Sequence, residues 1–298
     1  MAYANLLSDR RHLPLLALIA GGIAIGGSPI FVRLSELGPV ATAFWRLALG
    51  LVPLCVFALI WRPEALRLPE RRSDYALLML PGIFLAADLV AWHLAIHWTS
   101  IANATLLVNL SPVFVTLGSW LLFGAKVSRG FIAGLVIALV GVVVLKAGDG
   151  GGLGGGHWAG DLSAVIGAVF YAGYMLALGS ARGRFDTMRV MLWNTATAAL
   201  SILPVALVME SAILPSTLRG WEILLALALI SHVGGQALII YALAFLPMSF
   251  SSLTLLLQPV VASLLGIVVL GELLGPLGWA GGGIVLTGIL IARRSRAS

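Results

Sequence analysis

Long apolar runs alternate with short polar connections along this chain, and the alternation produces ten runs in all. A helix needs about 17–25 residues, at about 1.5 Å each, to cross a hydrocarbon core of about 30 Å. Most of the runs reach that length, and the shortest fit within a helical bundle. The predicted transmembrane helices are Leu13–Val32, Ala41–Ile60, Tyr75–Ile96, Ile101–Leu122, Gly130–Leu145, Asp161–Leu178, Val190–Val208, Glu222–Leu243, Met248–Leu270 and Pro276–Ala292.

The connections between the runs are too short to fold as separate soluble domains. Hydrophobic residues make up 60% of the chain and charged residues only 10%. Together with the ten runs, this composition predicts an all-α polytopic membrane protein whose function lies within the bilayer. The single cysteine, Cys55, excludes an intramolecular disulfide, and no histidine pair has the spacing of metal ligands. We expect neither a metal nor a cofactor.

The positions of Lys and Arg predict how the chain lies in the membrane, because cations near the ends of spans stay in the cytoplasm. With ten spans and a cytoplasmic N-terminus, only Arg33, Lys146 and Arg219 fall outside, and Arg46 lies within a span. We therefore expect an uncleaved first span and both termini in the cytoplasm, in the cytoplasmic (inner) membrane. The basic pI of about 10.1 then reflects topology and requires no nucleic-acid partner.

The two halves of the chain resemble each other in one gap-free alignment. A shift of 147 positions superposes prolines, glycines and a loop, a match that shared apolar composition explains less well. Each half contains five spans, an odd number, so the halves must insert with opposite orientations. The matched residues are Pro112 with Pro259, Val113 with Val260, Leu117 with Leu264, Gly124 with Gly271, Ala133 with Ala280, Gly134 with Gly281, Ile137 with Ile284, Gly141 with Gly288 and, at almost the same offset, Phe44-Trp45-Arg46 with Leu192-Trp193-Asn194.

We therefore predict two inverted five-helix repeats, residues 1–147 and 161–298, joined by a glycine-rich linker at residues 148–160. Inverted repeats related by an axis in the membrane plane are typical of transporters, because one set of contacts can close either face around a central site. The linker contains a formal GxGxxG pattern, but no strand precedes it. We interpret it as a flexible connection and not as a nucleotide site.

The paired five-helix units, the helices that contain Pro112 and Pro259, the turns at Gly124 and Gly271 and the glycine-rich helices that follow resemble the drug/metabolite transporter superfamily. They are most similar to its ten-helix permeases with paired EamA-type domains. The resemblance covers nearly the whole chain, and Arg46 resembles the arginine in the second helix of that family. It implies export of small metabolites, often amino acids, through a central cavity.

Asp88 is the main candidate for substrate binding. An ionisable group at membrane depth is costly and is a functional candidate by default, and Asp88 lies beyond the midplane of its predicted helix. Phe84 and Trp92 share its helical face, so the carboxylate could hold an amino group beside two aromatic rings. It could also exchange a proton. The structural alternative is a bond to a neighbouring helix or to His93.

Further candidates lie in the second repeat. His232 and Gln236 occupy one face of the eighth span, near the midplane, where the histidine could relay protons or bind a substrate carboxylate. A buried histidine satisfied by a backbone carbonyl is the alternative. Tyr171 and Tyr174 of the sixth span are neighbours on a helix surface and could stack on an apolar or aromatic substrate. Packing against adjacent helices is the commoner use of such a pair.

The fourth and ninth spans are the most polar of their halves, and Asn109 and Gln258 are candidate cavity-lining residues. The central prolines, Pro112 and Pro259, each remove a helical hydrogen bond. We interpret them as hinges, with a fixed kink as the alternative. For Arg46 we expect snorkelling or a pair with Glu36, and contact with an anionic substrate is the alternative.

Our hypothesis is a secondary transporter that exports small organic metabolites, above all amino acids, including apolar and aromatic ones, by alternating access. Both proton-coupled and facilitative cycles fit these residues, and one pair of repeats suffices for a functional monomer. A multidrug exporter for lipophilic cations fits Asp88 equally well. An intramembrane enzyme should carry a convergent catalytic set, and a channel should carry rings of charge; the sequence has neither pattern.

Overall fold

The structure is a computed structural model, and it describes residues 12–98, 107–148, 158–271 and 275–295. Within these ranges all regular secondary structure is helical, which confirms the predicted all-α fold. We number the spans α1 to α10 in chain order. They are α1 (Leu13–Gly26 and Ser28–Leu34), α2 (Pro39–Trp61), α3 (Arg72–Trp98), α4 (Ser111–Phe123), α5 (Arg129–Gly148), α6 (Trp158–Arg182), α7 (Thr187–Met209), α8 (Leu218–Ala242), α9 (Met248–Thr254 and Leu257–Leu270) and α10 (Pro276–Arg294).

In the described part of the chain, eight helices are long and apolar enough to cross a bilayer, and α4 and α5 are shorter apolar helices. The start of the predicted fourth span, residues 101–106, lies outside the described residues. So do residues 149–157, which form most of the predicted linker. The outward-facing surface is strongly apolar, with Leu121, Leu200 and Val208 at least 70% exposed, as expected for helices in contact with lipid.

Equivalent glycines end α4 and α9 in the same way. Gly124 has φ 62° and Gly271 has φ 68°, and they are the only described residues with positive φ. A residue with a Cβ is strained in this left-handed conformation, so glycine is preferred there as a helix terminator. The equivalent helices α4 and α9 therefore end in the same backbone conformation, in agreement with the repeat found in the sequence.

The helix packing follows a pseudo-two-fold pattern. Three pairs of equivalent helices pack against each other: α2 with α7, α4 with α9, and α5 with α10. Larger contacts among the other helices come as exchanged pairs: α3 packs on α6 as α8 packs on α1, and α3 packs on α7 as α8 packs on α2. A two-fold axis that exchanges the halves produces this pattern.

The glycines of α5 and α10 give the direction of that axis. Gly134 lies against Gly288, and Gly141 lies against Gly281. Residue numbers rise along α5 as they fall along α10, so these equivalent helices are antiparallel. Helices related by the repeat but running in opposite directions are the structural signature of inverted repeats, and the predicted fold class is confirmed.

One span departs from the prediction of a regular α-helix. In α8, residues Leu227–Gln236 form a π-helix between the α-helical segments Leu218–Ala226 and Ala237–Ala242. A π-turn accommodates more residues per turn than an α-turn, widens the helix and is frequent at functional sites. His232 and Gln236 both lie in this segment.

Candidate functional site

Polar side chains from five helices of both repeats meet inside the bundle. Each is joined to another member by a hydrogen bond, a ring contact or an electrostatic interaction. We call this set the central polar cluster. Its members are Arg46 of α2, Asp88 of α3, Tyr171 and Tyr174 of α6, Thr195 of α7, and His232 and Gln236 of α8.

Asp88 is buried against α6. Its side chain is 7% exposed, and a Cβ added to Gly167 would lie 3.5 Å from its Oδ1 atom. That oxygen has no hydrogen-bond partner among the described residues. Asp88 also interacts electrostatically with Tyr171 and Tyr174. A buried carboxylate oxygen without a donor is costly, so this position favours a cationic or hydrogen-bond-donating ligand.

The tyrosine pair lies beside Asp88 on α6. The rings of Tyr171 and Tyr174 are 5.8 Å apart between centroids, and Tyr174 is only 1% exposed. Gln236 donates a hydrogen bond from Nε2 to the Tyr174 hydroxyl. This bond connects Tyr174 of α6 to the π-helical segment of α8. It joins two of the predicted site residues directly.

His232 is fixed between α2 and α7. Its Nε2 lies 2.8 Å from Thr195 Oγ1, and a Cβ added to Gly50 would lie 2.9 Å from its Cδ2. The histidine is 1% exposed. It is therefore satisfied by a hydroxyl and not by a backbone carbonyl, and a hydroxyl can accept or donate as the histidine tautomer requires.

Arg46 lies on the face of α2 that meets the cluster, one turn before Gly50, which lies against His232. It interacts electrostatically with Tyr171, Tyr174 and His232, and its buried Nε has no partner within the described part of the chain. The predicted pair with Glu36 is wrong, because Glu36 accepts hydrogen bonds from the α7–α8 connection instead. A guanidinium held inward with an unused donor is suited to an anionic group.

Phe84 and Trp92 lie on either side of Asp88 along α3 but contact different helices. Phe84 packs toward α6, where a Cβ on Gly173 would lie 2.9 Å from its ring. Trp92 lines a void of about 20 Å³ together with Pro39 at the start of α2. Phe84 and Asp88 therefore meet α6, whereas Trp92 meets the start of α2.

The predicted hinges coincide with interruptions. A turn at residues 109–110, which contains Asn109, precedes α4, and a turn at residues 255–256 divides α9. In both turns the hydrogen bonds are tightened to the i→i−3 type, next to Pro112 and Pro259, which lack an N–H. Gln258, beside the second turn, has a buried Nε2 without a partner in the described residues.

Cross-repeat contacts hold the two ends of the bundle. At the arginine-rich end, Arg184 forms a 2.9 Å ion pair with Asp74 of the other repeat, and Arg182 Nε donates to the Ile240 carbonyl within the second repeat at 3.0 Å. At the opposite end, the Glu210 carboxylate accepts from the backbone N–H groups of Val40 at 2.7 Å and Ala41 at 3.1 Å. Both ends are therefore tied across the two repeats.

Glu36 makes a second tie at the end that contains Glu210. It accepts from Ser216 N at 2.9 Å, from Ser216 Oγ at 3.0 Å, and from the backbone and hydroxyl of Thr217. These hydrogen bonds, above all the one from the Thr217 hydroxyl, lower the pKa of the Glu36 carboxyl. The first repeat is thus anchored to the start of α8.

A lateral groove of about 690 Å³ runs between α3, α6 and α7. Its wall is apolar and includes Ala87 and Ala91, which flank Asp88 in the sequence, with Trp98 and Trp158 at one end. Both tryptophans are strongly exposed, as expected for residues at a membrane surface. Its lining also includes the exposed apolar side chains of Leu162 and Ile166.

Both halves of the chain match one family model. Residues 12–146 and residues 158–294 each match the EamA-like transporter family. The chain belongs to this family. The identification confirms the resemblance drawn from the prolines, glycines and repeat of the sequence. The protein is thus a multi-pass membrane protein of a transporter family.

Several relatives carry exporter names. The pseudopaline exporter CntI of Pseudomonas aeruginosa is 28% identical over 194 residues, which cover 64% of each chain. The probable terminal-alkyne amino-acid exporter of Streptantibioticus cattleyicolor is 26% identical over 272 residues, covering 89% of this chain and 87% of the relative. A solved crystal structure, 21% identical, superposes with a TM-score of 0.81 over 94% of this chain and 98% of its own. That last likeness supports the fold alone.

For this EamA-like chain, the sequence predicts most of the cluster but not Thr195, and for Arg46 it favours snorkelling or a pair with Glu36 over contact with a substrate. Thr195 lacks any motif, and only the packing of α7 on α8 brings it to His232. Arg46 had a usable signal: it aligns with Asn194, which is fully buried in α7. A buried polar residue at the equivalent position indicated that this face of α2 also points inward.

Proposed function

We propose that the protein is a secondary transporter that exports small organic metabolites, amino acids foremost, across the cytoplasmic membrane by alternating access. Membership of the EamA-like family and the exporter names of two relatives support export as the activity. The residues of the central polar cluster support the substrate class. Both termini would lie in the cytoplasm, at the arginine-rich end of the bundle.

The observation that carries the proposal is the buried carboxylate of Asp88 with an oxygen that lacks a donor in the described residues. The neighbouring tyrosine rings offer an apolar and aromatic surface with hydroxyls at its edge. An ammonium group from a substrate would satisfy the carboxylate by charge and hydrogen bonding, and would gain from the ring faces. An amino acid with an apolar or aromatic side chain has this chemistry.

The packing supports the transport cycle. Because the contacts between helices are exchanged by a pseudo-two-fold axis, the same movement that opens one face can open the other in reverse. Opening the arginine-rich end breaks the ion pair of Arg184 with Asp74, and opening the opposite end breaks the hydrogen bonds accepted by Glu36 and Glu210. The hinges beside Pro112 and Pro259 would accommodate these movements.

Counterflow in proteoliposomes tests the proposal. Vesicles loaded with one unlabelled amino acid at a time should accumulate the labelled form in a saturable manner, and empty vesicles should not. Loading with tetraphenylphosphonium tests the alternative of a lipophilic-cation exporter. Exchange of that cation with no exchange of any amino acid would contradict the proposal.

Asp88→Asn tests the role of the carboxylate. The variant should insert and remain stable in detergent, because Asn has nearly the same size. Its apparent affinity for an exchanged amino acid should fall about 10- to 100-fold, the range expected for a charged hydrogen bond. Glu64→Gln is the matched control, because Glu64 pairs with Arg62 on the exposed surface and its loss should leave exchange unchanged. Normal exchange by Asp88→Asn would remove Asp88 from the site.

A further inference from the structure

The central polar cluster contains a second charge of opposite sign, and this charge has its own unused donor. The Nε of Arg46 is buried without a partner among the described residues, as is the Oδ1 of Asp88. Burial of an unsatisfied charged group is expensive at membrane depth. A site that keeps both a cation and an anion in this condition is prepared for a ligand that satisfies both.

The two charges break the symmetry of the fold. The repeat alignment matches Arg46 with Asn194 and, by the shift of 147 positions, matches Asp88 with Gly235. Both charges therefore come from the first repeat, and the equivalent helices α7 and α8 pack in the equivalent way without them. The same pairs of helices pack in the second repeat without these charges, although α8 is π-helical where α3 is α-helical, so helix packing alone does not account for them.

The tyrosine pair is near both charges. Asp88 lies against Gly167, one turn before Tyr171 on α6. Arg46 lies one turn before Gly50, which meets His232 of α8. A ligand at the tyrosine pair is therefore close to the helix faces that carry Asp88 and Arg46. Gln236 holds Tyr174 from α8, so the second repeat contributes to the same surface.

We propose that the central site selects zwitterions: Asp88 binds the ammonium group, Arg46 binds the carboxylate group, and the tyrosine pair contacts the body between or beside them. The inference rests on the proposed function and adds the anionic half of the recognition. A ligand that lacks either group leaves one protein charge buried and unsatisfied, which is the strongest basis for discrimination that a polar site has.

Competition by three probes of one shape tests this selectivity. Phenylalanine carries both charges, phenethylamine lacks the carboxylate, and 3-phenylpropanoate lacks the ammonium group. In counterflow by the wild-type protein, phenylalanine should compete at least about tenfold better than either analogue. Equal competition by either analogue would overturn the proposal, and this result needs no variant to fold.

Two variants then assign each charge to its residue. Arg46→Gln should weaken phenylalanine about tenfold or more and leave phenethylamine unchanged, because that probe has no group for Arg46. Asp88→Asn should weaken phenylalanine similarly and leave 3-phenylpropanoate unchanged. Arg46→Lys retains the charge and should recover part of the affinity. Arg219→Gln, at an exposed position, is the control and should match the wild type.

The outcomes separate this inference from the proposed function. If Arg46→Gln weakens all three probes equally, Arg46 has a structural role and the zwitterion proposal fails, although export stands. If phenylalanine exchanges but the analogues compete equally well, the same conclusion follows. If the folded wild-type protein exchanges neither phenylalanine nor any other amino acid, both proposals fail.

Discussion

The close approach of the α5 and α10 backbones gives a sharp prediction for Gly281→Ala. A Cβ added to Gly281 would lie 2.2 Å from the backbone nitrogen of Leu145 and 2.5 Å from its Cα. Both atoms belong to the backbone of α5, so no side chain can rotate away. The helices must separate along the whole interface, and the neighbouring contacts of Gly134, Gly141 and Gly288 loosen with them.

The expected cost follows from this geometry. Inserting a methyl group into a well-packed core costs about 1–3 kcal/mol, and a clash with rigid backbone belongs at the upper end of that range. Gly283, two residues away on α10, has no atom within 4 Å of the same added Cβ. Gly283→Ala should therefore be neutral, or stabilising by up to about 1 kcal/mol, because alanine favours a helix over glycine.

Thermal unfolding in detergent, followed by the loss of the monodisperse peak, compares the two variants directly. Gly281→Ala should unfold several degrees below the wild type, and Gly283→Ala at or above it. The pseudo-two-fold axis adds a second expectation: Gly134→Ala, at the equivalent position of α5, should resemble Gly281→Ala. If Gly281→Ala is as stable as Gly283→Ala, the antiparallel backbone contact between the repeats is wrong.

Three further predictions concern the two ends of the bundle. Glu210→Gln should lower the free energy of unfolding by about 1–2 kcal/mol, because the N–H groups at the start of α2 lose a negatively charged acceptor. An unchanged midpoint of chemical denaturation would contradict a stabilising role for these hydrogen bonds. The pKa of Glu36 is lowered from its ordinary 4.5, so the stability difference between the wild type and Glu36→Gln should be constant above pH 4.5 and shrink as pH falls through the lowered value. A difference that persists at pH 2 would oppose this account. With Cys55 replaced by alanine, Glu70→Cys should react with an impermeant maleimide only from the cytoplasmic side and Ser211→Cys only from outside; labelling of both from one side would refute the topology.

The fold could be predicted from the sequence because its signals are redundant. Each apolar run predicts a span, the odd number of runs in each half predicts inversion, and the matched pairs Gly134 with Gly281 and Gly141 with Gly288 are the residues that meet between α5 and α10. The two helix ends at Gly124 and Gly271 follow from the same alignment. Agreement among independent local signals is what makes such a prediction possible.

The π-helical segment of α8 could not be predicted in this way. Apolar residues around His232 fit a regular helix, and a wider turn changes the register by only about one residue. This segment packs on α1, where Ser231 donates to the Ala24 carbonyl at 2.9 Å. Contacts between distant segments cannot be detected in the local spacing of apolar residues.

The contacts of Arg46 and Glu36 could not be predicted from the sequence for a similar reason. Glu36 is close to Arg46 in sequence, and a pair between them was expected. Its donors instead come from Ser216 and Thr217 in the other repeat, which leaves Arg46 to the central polar cluster. Helical spacing correctly put Phe84, Asp88 and Trp92 on one face, but spacing does not specify which helix each of them meets.

The measurement that tests the central claim most directly is phenylalanine counterflow by purified wild-type protein and Asp88→Asn in matched proteoliposomes. Our account predicts saturable accumulation by the wild type and an apparent affinity reduced about 10- to 100-fold in the variant, with equal amounts of folded protein. Equal exchange by the two proteins would contradict a substrate site at Asp88. No exchange of any amino acid by the folded wild type would contradict amino-acid export itself.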